Sequence, residues 1–228
     1  MAVEFDRYAS DYDRLLRDPV RDRFGGGSRF FHERKWALIQ EHFAKRNLAT
    51  EGLRWLDAGC GRGELLALGA SRFGEACGCD LAAEMAKNSR IQTVHQLSPS
   101  ELPFGDARFD FVTAVCVFHH VAPAGRPGLA SEMARVLAPG GTACIIEHNP
   151  WNPVTRLIVS RTPVDANAIL VSAAECRRLL EGAGLTPAEP QYFLYLPRVL
   201  YQFAGKLESL FAKLPFGGQY ACFSRKLP

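Results

Sequence analysis

The chain has 228 residues, 47% of them hydrophobic, enough for one α/β unit with a sizeable core and too many for a disordered segment. Its 27 basic and 24 acidic residues leave a formal charge of +3, too even a balance to call for a polyanionic partner, so no nucleic acid is expected. The charged opening run argues against a secretory signal and no apolar run reaches the length of a bilayer, so a cytoplasmic location is expected, with peripheral membrane contact left open. The seven cysteines read as reduced thiols, and Cys77 and Cys79 lack a second pair at ligand spacing, so no metal is expected.

In chain order, residues 4–16 carry Phe5, Tyr8, Tyr12, Leu15 and Leu16 as a helical stripe. Residues 21–29, with three consecutive glycines, predict a mobile loop able to act as a lid, and residues 30–46 a helix with Phe31, Trp36, Ile39 and Phe43 on one side. The chain is organised around residues 53–66, LRWLDAGCGRGELL: an apolar strand ending in Asp57, then Gly59, Gly61 and Gly63, then a helix to about residue 70. Such a turn brings backbone amides against a small ligand because no Cβ blocks the approach. A second strand ends at Asp80, after the length that a helix and a returning parallel strand require. A short helix over 81–89 and a strand over 91–97 follow. Residues 108–117 are nearly all apolar, the mark of a strand buried on both faces, and lead into Phe118-His-His-Val121 at its carboxyl edge.

Residues 123–127 turn the chain, 129–137 predict a helix, 136–142 a glycine turn and 143–147 a strand. His148-Asn-Pro-Trp-Asn-Pro153 reads as a shaped loop, its prolines arguing against an immediate helix. A helix capped by Ser172 with Glu175 three residues on, a sixth strand within 185–196, an amphipathic helix over 198–214 and a last strand over 217–224 complete the chain.

The motif Asp57-Ala-Gly-Cys-Gly-Arg-Gly63 followed by Asp80 resembles the cofactor turn of class I S-adenosylmethionine-dependent methyltransferases of the type 11-like, small-molecule kind. Phe5 to Asp13 is similar to that family's N-terminal cap helix, and residues 98–104 and 136–142 to its later motifs. The resemblance implies an α/β, doubly wound, seven-stranded Rossmann-like sheet, mostly parallel with the last strand antiparallel. It implies a single domain over 1–228: cap helices in 1–46, a cofactor-binding half in 47–150 and a substrate-side half in 151–228. It also implies S-adenosylmethionine as cofactor, held by Tyr12, Asp57, Gly59, Cys60, Gly61, Gly63, Asp80, Leu81, Ser98 and Cys116, with Asp80 accepting the ribose hydroxyls. Two departures concern the adenine: Ser98 stands where the family has Asp, and Pro99 has no N–H to donate.

Methyl transfer from a sulfonium requires positioning, water exclusion and, for some acceptors, a base. His119, His120, Glu147 and His148 fall at the expected carboxyl edge and are the candidate catalytic groups. The expected acceptor is an oxygen or nitrogen of a small apolar or aromatic metabolite, acted on by a monomer or homodimer. The alternatives are a lipid-linked or macromolecular acceptor docked on the helix over 198–214, and a nicotinamide-dependent oxidoreductase, against which Glu64 stands in place of a third glycine at the dinucleotide spacing. That helix otherwise packs on the sheet or on a partner subunit.

Overall fold

The computed structural model describes residues 2–87, 89 and 91–228, with the backbone alone for residues 2–4. Four helices precede the sheet: α1 (Ala2–Tyr8), α2 (Tyr12–Leu15), α3 (Pro19–Gly25) and α4 (Ser28–Ala44). The stripe over 4–16 is thus two helices rather than one. The expected mobile loop over 21–29 is instead mostly helical. Asp18 caps α3 by accepting from the Val20 and Arg21 amides at 2.8 and 3.0 Å, Pro19 takes the first helical position, and Gly26 ends the helix at φ 66°.

Strands β1 (Arg54–Ala58), β2 (Glu75–Asp80), β3 (Thr93–His95), β4 (Phe109–Val115) and β5 (Leu137–His148) are parallel, in the order β3-β2-β1-β4-β5. Beside β5, β8 (Gln219–Arg225) runs antiparallel, and its other edge pairs with β6 (Thr186–Pro187) and β7 (Gln191–Phe193). The sheet therefore has eight strands where seven are expected, because the sixth is in two pieces. Pro187 faces Ser224 but Gln191 faces Ala221, so residues 188–190 bulge by one, at a proline that has no N–H for a ladder. Both pieces run antiparallel to β8 and so along the direction of β1–β5. The expected mostly parallel sheet with a reversed last strand holds.

The other helices are α5 (Glu64–Gly69), α6 (Ala83–Lys87), α7 (Arg126–Val136), α8 (Pro153–Arg161), α9 (Ala173–Gly182) and α10 (Arg198–Glu208). The helix expected over 81–89 is the shorter α6, and residue 88 lies outside the described residues. Alternate strand residues face opposite sides of the sheet, as the pleat requires. Trp55, Phe111, Cys144 and Ala221 pack with Ile39 and Phe43 of α4 and Leu66 of α5, whereas Leu56, Val112, Ile145 and Cys222 pack with Met133 of α7 and Leu180 of α9. Helices thus cover both faces, and the near-continuous apolar strands follow from that.

Three boundaries differ from expectation for identifiable reasons. The turn over 136–142 lies inside β5 as an irregularity, Phe109 facing Leu137 and Phe111 facing Thr142, with Gly140 at φ 77°. A helix does begin within the proline loop, since Pro153 sits where a helix leaves its N–H unused and the Asn152 side chain caps it by accepting from the Thr155 amide at 2.9 Å. The last amphipathic helix ends at Glu208 and continues as a 3-10 turn over Ser209–Phe211. The Ser172 cap is as expected, its hydroxyl accepting from the Glu175 amide at 3.2 Å.

Candidate active site

Strand order reverses between β1 and β4, which opens a crevice outside their carboxyl ends. The chain leaves β1 through Gly59, Gly61 and Gly63, at φ 71°, 55° and 75°. A Cβ on Gly59 would lie 2.5 Å from Val117 Cγ2 and one on Gly63 2.6 Å from Ser89 Oγ, but one on Gly61 would meet nothing within 4 Å. Two of the glycines are therefore demanded by protein packing. The third faces open space. Asp80 ties this turn to β2: one carboxylate oxygen accepts from the Gly61 amide and the other from the Ala82 amide, both at 2.8 Å. Burial pushes its pKa up against these two bonds.

Below the turn, Trp55 Nε1 donates to Thr113 Oγ1 at 2.9 Å, and that hydroxyl donates to Asp57 Oδ1 at 2.6 Å. Burial raises Asp57 to about 7 in spite of the bond. Across the crevice, Cys116 directly follows β4 at φ 57°, a strained value for a residue with a side chain. Its sulfur accepts from Lys35 Nζ at 3.4 Å and Gln219 Nε2 at 3.6 Å. Burial alone raises the thiol, but the Lys35 ammonium and then His148 outweigh it and lower Cys116 to about 7.

The N-terminal helices close over this turn. Arg62 reaches Asp13 at 2.7 Å and Glu64 at 3.0 Å while its guanidinium lies 5.3 Å from the Tyr12 ring centre. Asp6 accepts from the Glu84 amide at 2.9 Å, and Phe5, Tyr8 and Tyr12 pack on Ala82 and Met85.

Beyond β4, the Phe118-His-His turn meets the end of β5. His119 Nδ1 lies 2.5 Å from Glu147 Oε2, and Glu147 Oε1 accepts from the Phe118 amide at 2.7 Å. Asp165, from the segment after α8, places Oδ1 3.5 Å from Nε2 of both His119 and His120. Burial favours neutral His119, but Glu147 and Asp165 win and hold it charged up to about 10. Burial, joined by the charge on His119, lowers His120 to about 3. His119, His120 and Asp165 offer three ligand atoms within 4.8 Å of one another, a set able to hold a divalent ion if the ion displaces a proton from His119.

One cavity of about 420 Å³ joins these parts. Tyr12, Asp57, Gly59, Cys60, Gly61, Asp80, Leu81, Cys116, His119, His120 and His148 are on its wall, whereas Gly63, Ser98 and Glu147 are not. Gly63 packs on Ser89, and Glu147 is fully buried behind His119. Ser98 turns its hydroxyl to Ser100 at 3.1 Å, so Gln96 and Pro99 line that end of the cavity instead.

The family model for a methyltransferase domain matches residues 56–145, which span the glycine turn, Asp80 and the histidine turn. Over that stretch the chain is similar to a methyltransferase domain. The chain is 30% identical over 132 residues to an uncharacterized methyltransferase of Synechocystis sp., covering 56% of the chain and 58% of that protein. It is 28% identical over 138 residues to a protein of Bos taurus named "Probable tRNA methyltransferase 9B", covering 58% of the chain and 29% of that protein. The chain thus spans well under two thirds of these curated relatives. A SAM-dependent methyltransferase structure from Thermotoga maritima superposes with a TM-score of 0.69 at 17% identity, covering 99% of this chain and 100% of that one, which shows a shared fold.

Several residues on the cavity wall or bracing it from behind carry no motif. Lys35 interrupts the apolar stripe of α4 between Phe31 and Ile39, which is its only sequence signal. Asp165 is the single acid between Glu147 and Glu175. Buried Arg126 donates to the Phe118 and Val121 carbonyls at 3.1 Å and to Glu175 at 2.6 Å, which fixes the histidine turn against α9. Asn149 donates to the Pro215 and Gly217 carbonyls at 2.9 and 2.8 Å, tying the proline loop to the segment before β8.

Proposed function

We propose that the protein transfers a methyl group from S-adenosylmethionine to an oxygen or nitrogen of a small apolar or aromatic acceptor. The observation that carries this is that one cavity joins these parts: glycine turn and Asp80 at one end, a histidine cluster beside β4 and β5, and largely apolar walls including Leu16, Phe24, Val154 and Ile158. A volume of about 420 Å³ falls within the range of small-ligand sites.

The residues present fit the cofactor. Each oxygen of Asp80 accepts one amide and retains a lone pair for a hydroxyl, and Gly61 opens the space that a backbone-bound ligand needs. Tyr12, Leu81 and Cys116 complete that end, with Gln96 and Pro99 in the place expected of Ser98. Bound there, the cofactor supplies an electrophilic methyl group. We read residues 1–228 as one unit, the first 46 residues roofing the cofactor end and residues 151–228 shaping the acceptor end.

His119 serves in this reading as a fixed cation between Glu147 and Asp165, orienting the cluster rather than taking protons. His120 stays neutral through the physiological range and faces the cavity, so it accepts the hydrogen bond of an acceptor O–H or N–H, and His148 lies on the same wall. Binding energy from the apolar walls holds the acceptor in line and keeps water out.

Calorimetric titration with S-adenosylhomocysteine tests the reading. Micromolar binding is expected, weakened by about 1–3 kcal/mol in Asp80→Ala for loss of charge-assisted hydrogen bonds. Absence of binding in the intact protein overturns it. His120→Ala is expected to lower turnover and leave cofactor affinity unchanged, and a parallel loss of affinity would make His120 structural.

A further inference from the structure

Helix α10 is built inside out. A helix on a folded domain normally turns its apolar stripe to the core. Here the buried residue is Glu208, 3% exposed and paired with Arg34, while Tyr201 accepts from Arg34 and packs its ring 6.0 Å from Phe30. Val199, Phe203, Leu207 and Leu210, spaced three and four apart, face outward, with Phe203 86% and Leu210 75% exposed. The polar face of the helix is docked on α4. Its apolar face has no cover among the described residues.

The surroundings extend that face and give it a charge. Asn152 Nδ2 donates to the Phe216 carbonyl at 2.7 Å, which brings exposed Trp151 and the start of α8 beside Phe216. From residue 149 to 164 and from 197 to 218 the only acid is the buried Glu208, whereas Arg156, Arg161, Arg198, Lys206 and Lys213 are exposed. Val154 and Phe216 are exposed and also line the cavity, so the cavity opens at the edge of this surface.

We propose that this face seats the protein on an anionic lipid surface, with the cavity mouth at the interface so that an amphiphilic acceptor presents its polar group from the bilayer. The second half of this rests on the methyltransferase reading and the first does not. Interfacial helices combine Leu and Phe on one side, flanking Lys and Arg, and Trp at headgroup depth, and bind anionic lipid through both terms. The centre of the face is apolar and uncharged, with Phe203 among aliphatic neighbours, which suits acyl chains and gives a phosphate backbone nothing to bind. No described helix is long and apolar enough to cross a membrane, which limits the contact to the interface.

Co-sedimentation of the full chain with phosphatidylcholine vesicles, with and without phosphatidylglycerol, tests the surface. Binding is expected to the mixed vesicles, to fall in high salt, and to drop more than tenfold in the Phe203→Ser, Leu210→Ser double variant, since two large exposed side chains lose their apolar contact. The variant's thermal unfolding and S-adenosylhomocysteine affinity are expected to be those of the parent. Failure of the parent to bind mixed vesicles overturns the proposal. So does a parent dimer in sedimentation velocity that the variant dissolves, which would make the face a contact between copies of the chain, and so does tRNA binding that the vesicles cannot displace. Vesicle binding without S-adenosylhomocysteine binding would retain the surface and remove the methyltransferase reading; the reverse would do the opposite.

Discussion

Gly59, Gly61 and Gly63 share a left-handed backbone but differ in what a side chain would meet. Gly61→Ala incurs only the conformational cost of positive φ, about 1–2 kcal/mol, because the space beside it is open. The variant is expected to fold and to lose S-adenosylhomocysteine affinity. Gly59→Ala adds a clash with Val117, a stiff β-branched neighbour, and is expected to lower the unfolding temperature further than Gly61→Ala does. Thermal melts and calorimetry on the pair separate the two effects; equal losses of affinity and stability in both would refute the distinction.

Cys116 offers a second test at this scale. All seven cysteines are free, and Cys116 is the one that is not buried. With its pKa lowered to about 7, thiolate forms as pH rises through that value, so iodoacetamide labelling of Cys116 should rise through about pH 7. Lys35→Met removes the nearby ammonium and should move the midpoint upward, read by mass spectrometry of the labelled peptide. An unmoved midpoint would show that Lys35 is not the cause.

Among the elements, short polar signals set boundaries that hydrophobic periodicity leaves vague. The Ser172 cap of α9 is legible in sequence because Ser172 and Glu175 stand at capping spacing. In the structure Glu175 takes Arg126 at 2.6 Å, so one residue both follows the cap and braces the histidine turn. Ser172→Ala should cost about 1 kcal/mol of stability and leave cofactor affinity unchanged, measured by denaturant melts and calorimetry. The start of α3 carries an equally plain signal, Asp18 before Pro19, but three following glycines suggested a loop and hid it. Asn152 before Pro153 repeats that pattern at α8.

At the scale of the whole molecule, β8 is the joint of the sheet, paired with β5 along seven residues on one edge and with β6 and β7 on the other. A chain stopped after residue 216 would expose the long, apolar β5 as an edge and leave β6 and β7 without a partner. Such a chain is expected to aggregate rather than accumulate as folded protein, measured by its recovery in the soluble fraction and its circular dichroism. Soluble recovery with a cooperative melt would mean that the first five strands suffice.

The sequence by itself determined the β1–β5 order of elements, the glycine turn and Asp80, because these rest on local rules: strand period, turn chemistry and the helix needed between parallel strands. It also placed His119, His120, Glu147 and His148 at one sheet edge, since residues that end adjacent parallel strands must share that edge. Only the tertiary structure decided what each histidine faces. Asp165 lies 45 residues beyond His120 in a segment with no motif, and folding alone brings it between two imidazoles, where it joins Glu147 in holding His119 charged while burial and that charge lower the pKa of His120. The same holds for α10, whose periodic stripe is plain in the sequence. Which side of a stripe turns inward depends on a partner, and here the ion pair of Glu208 with Arg34 anchors the polar side and leaves the apolar side facing out.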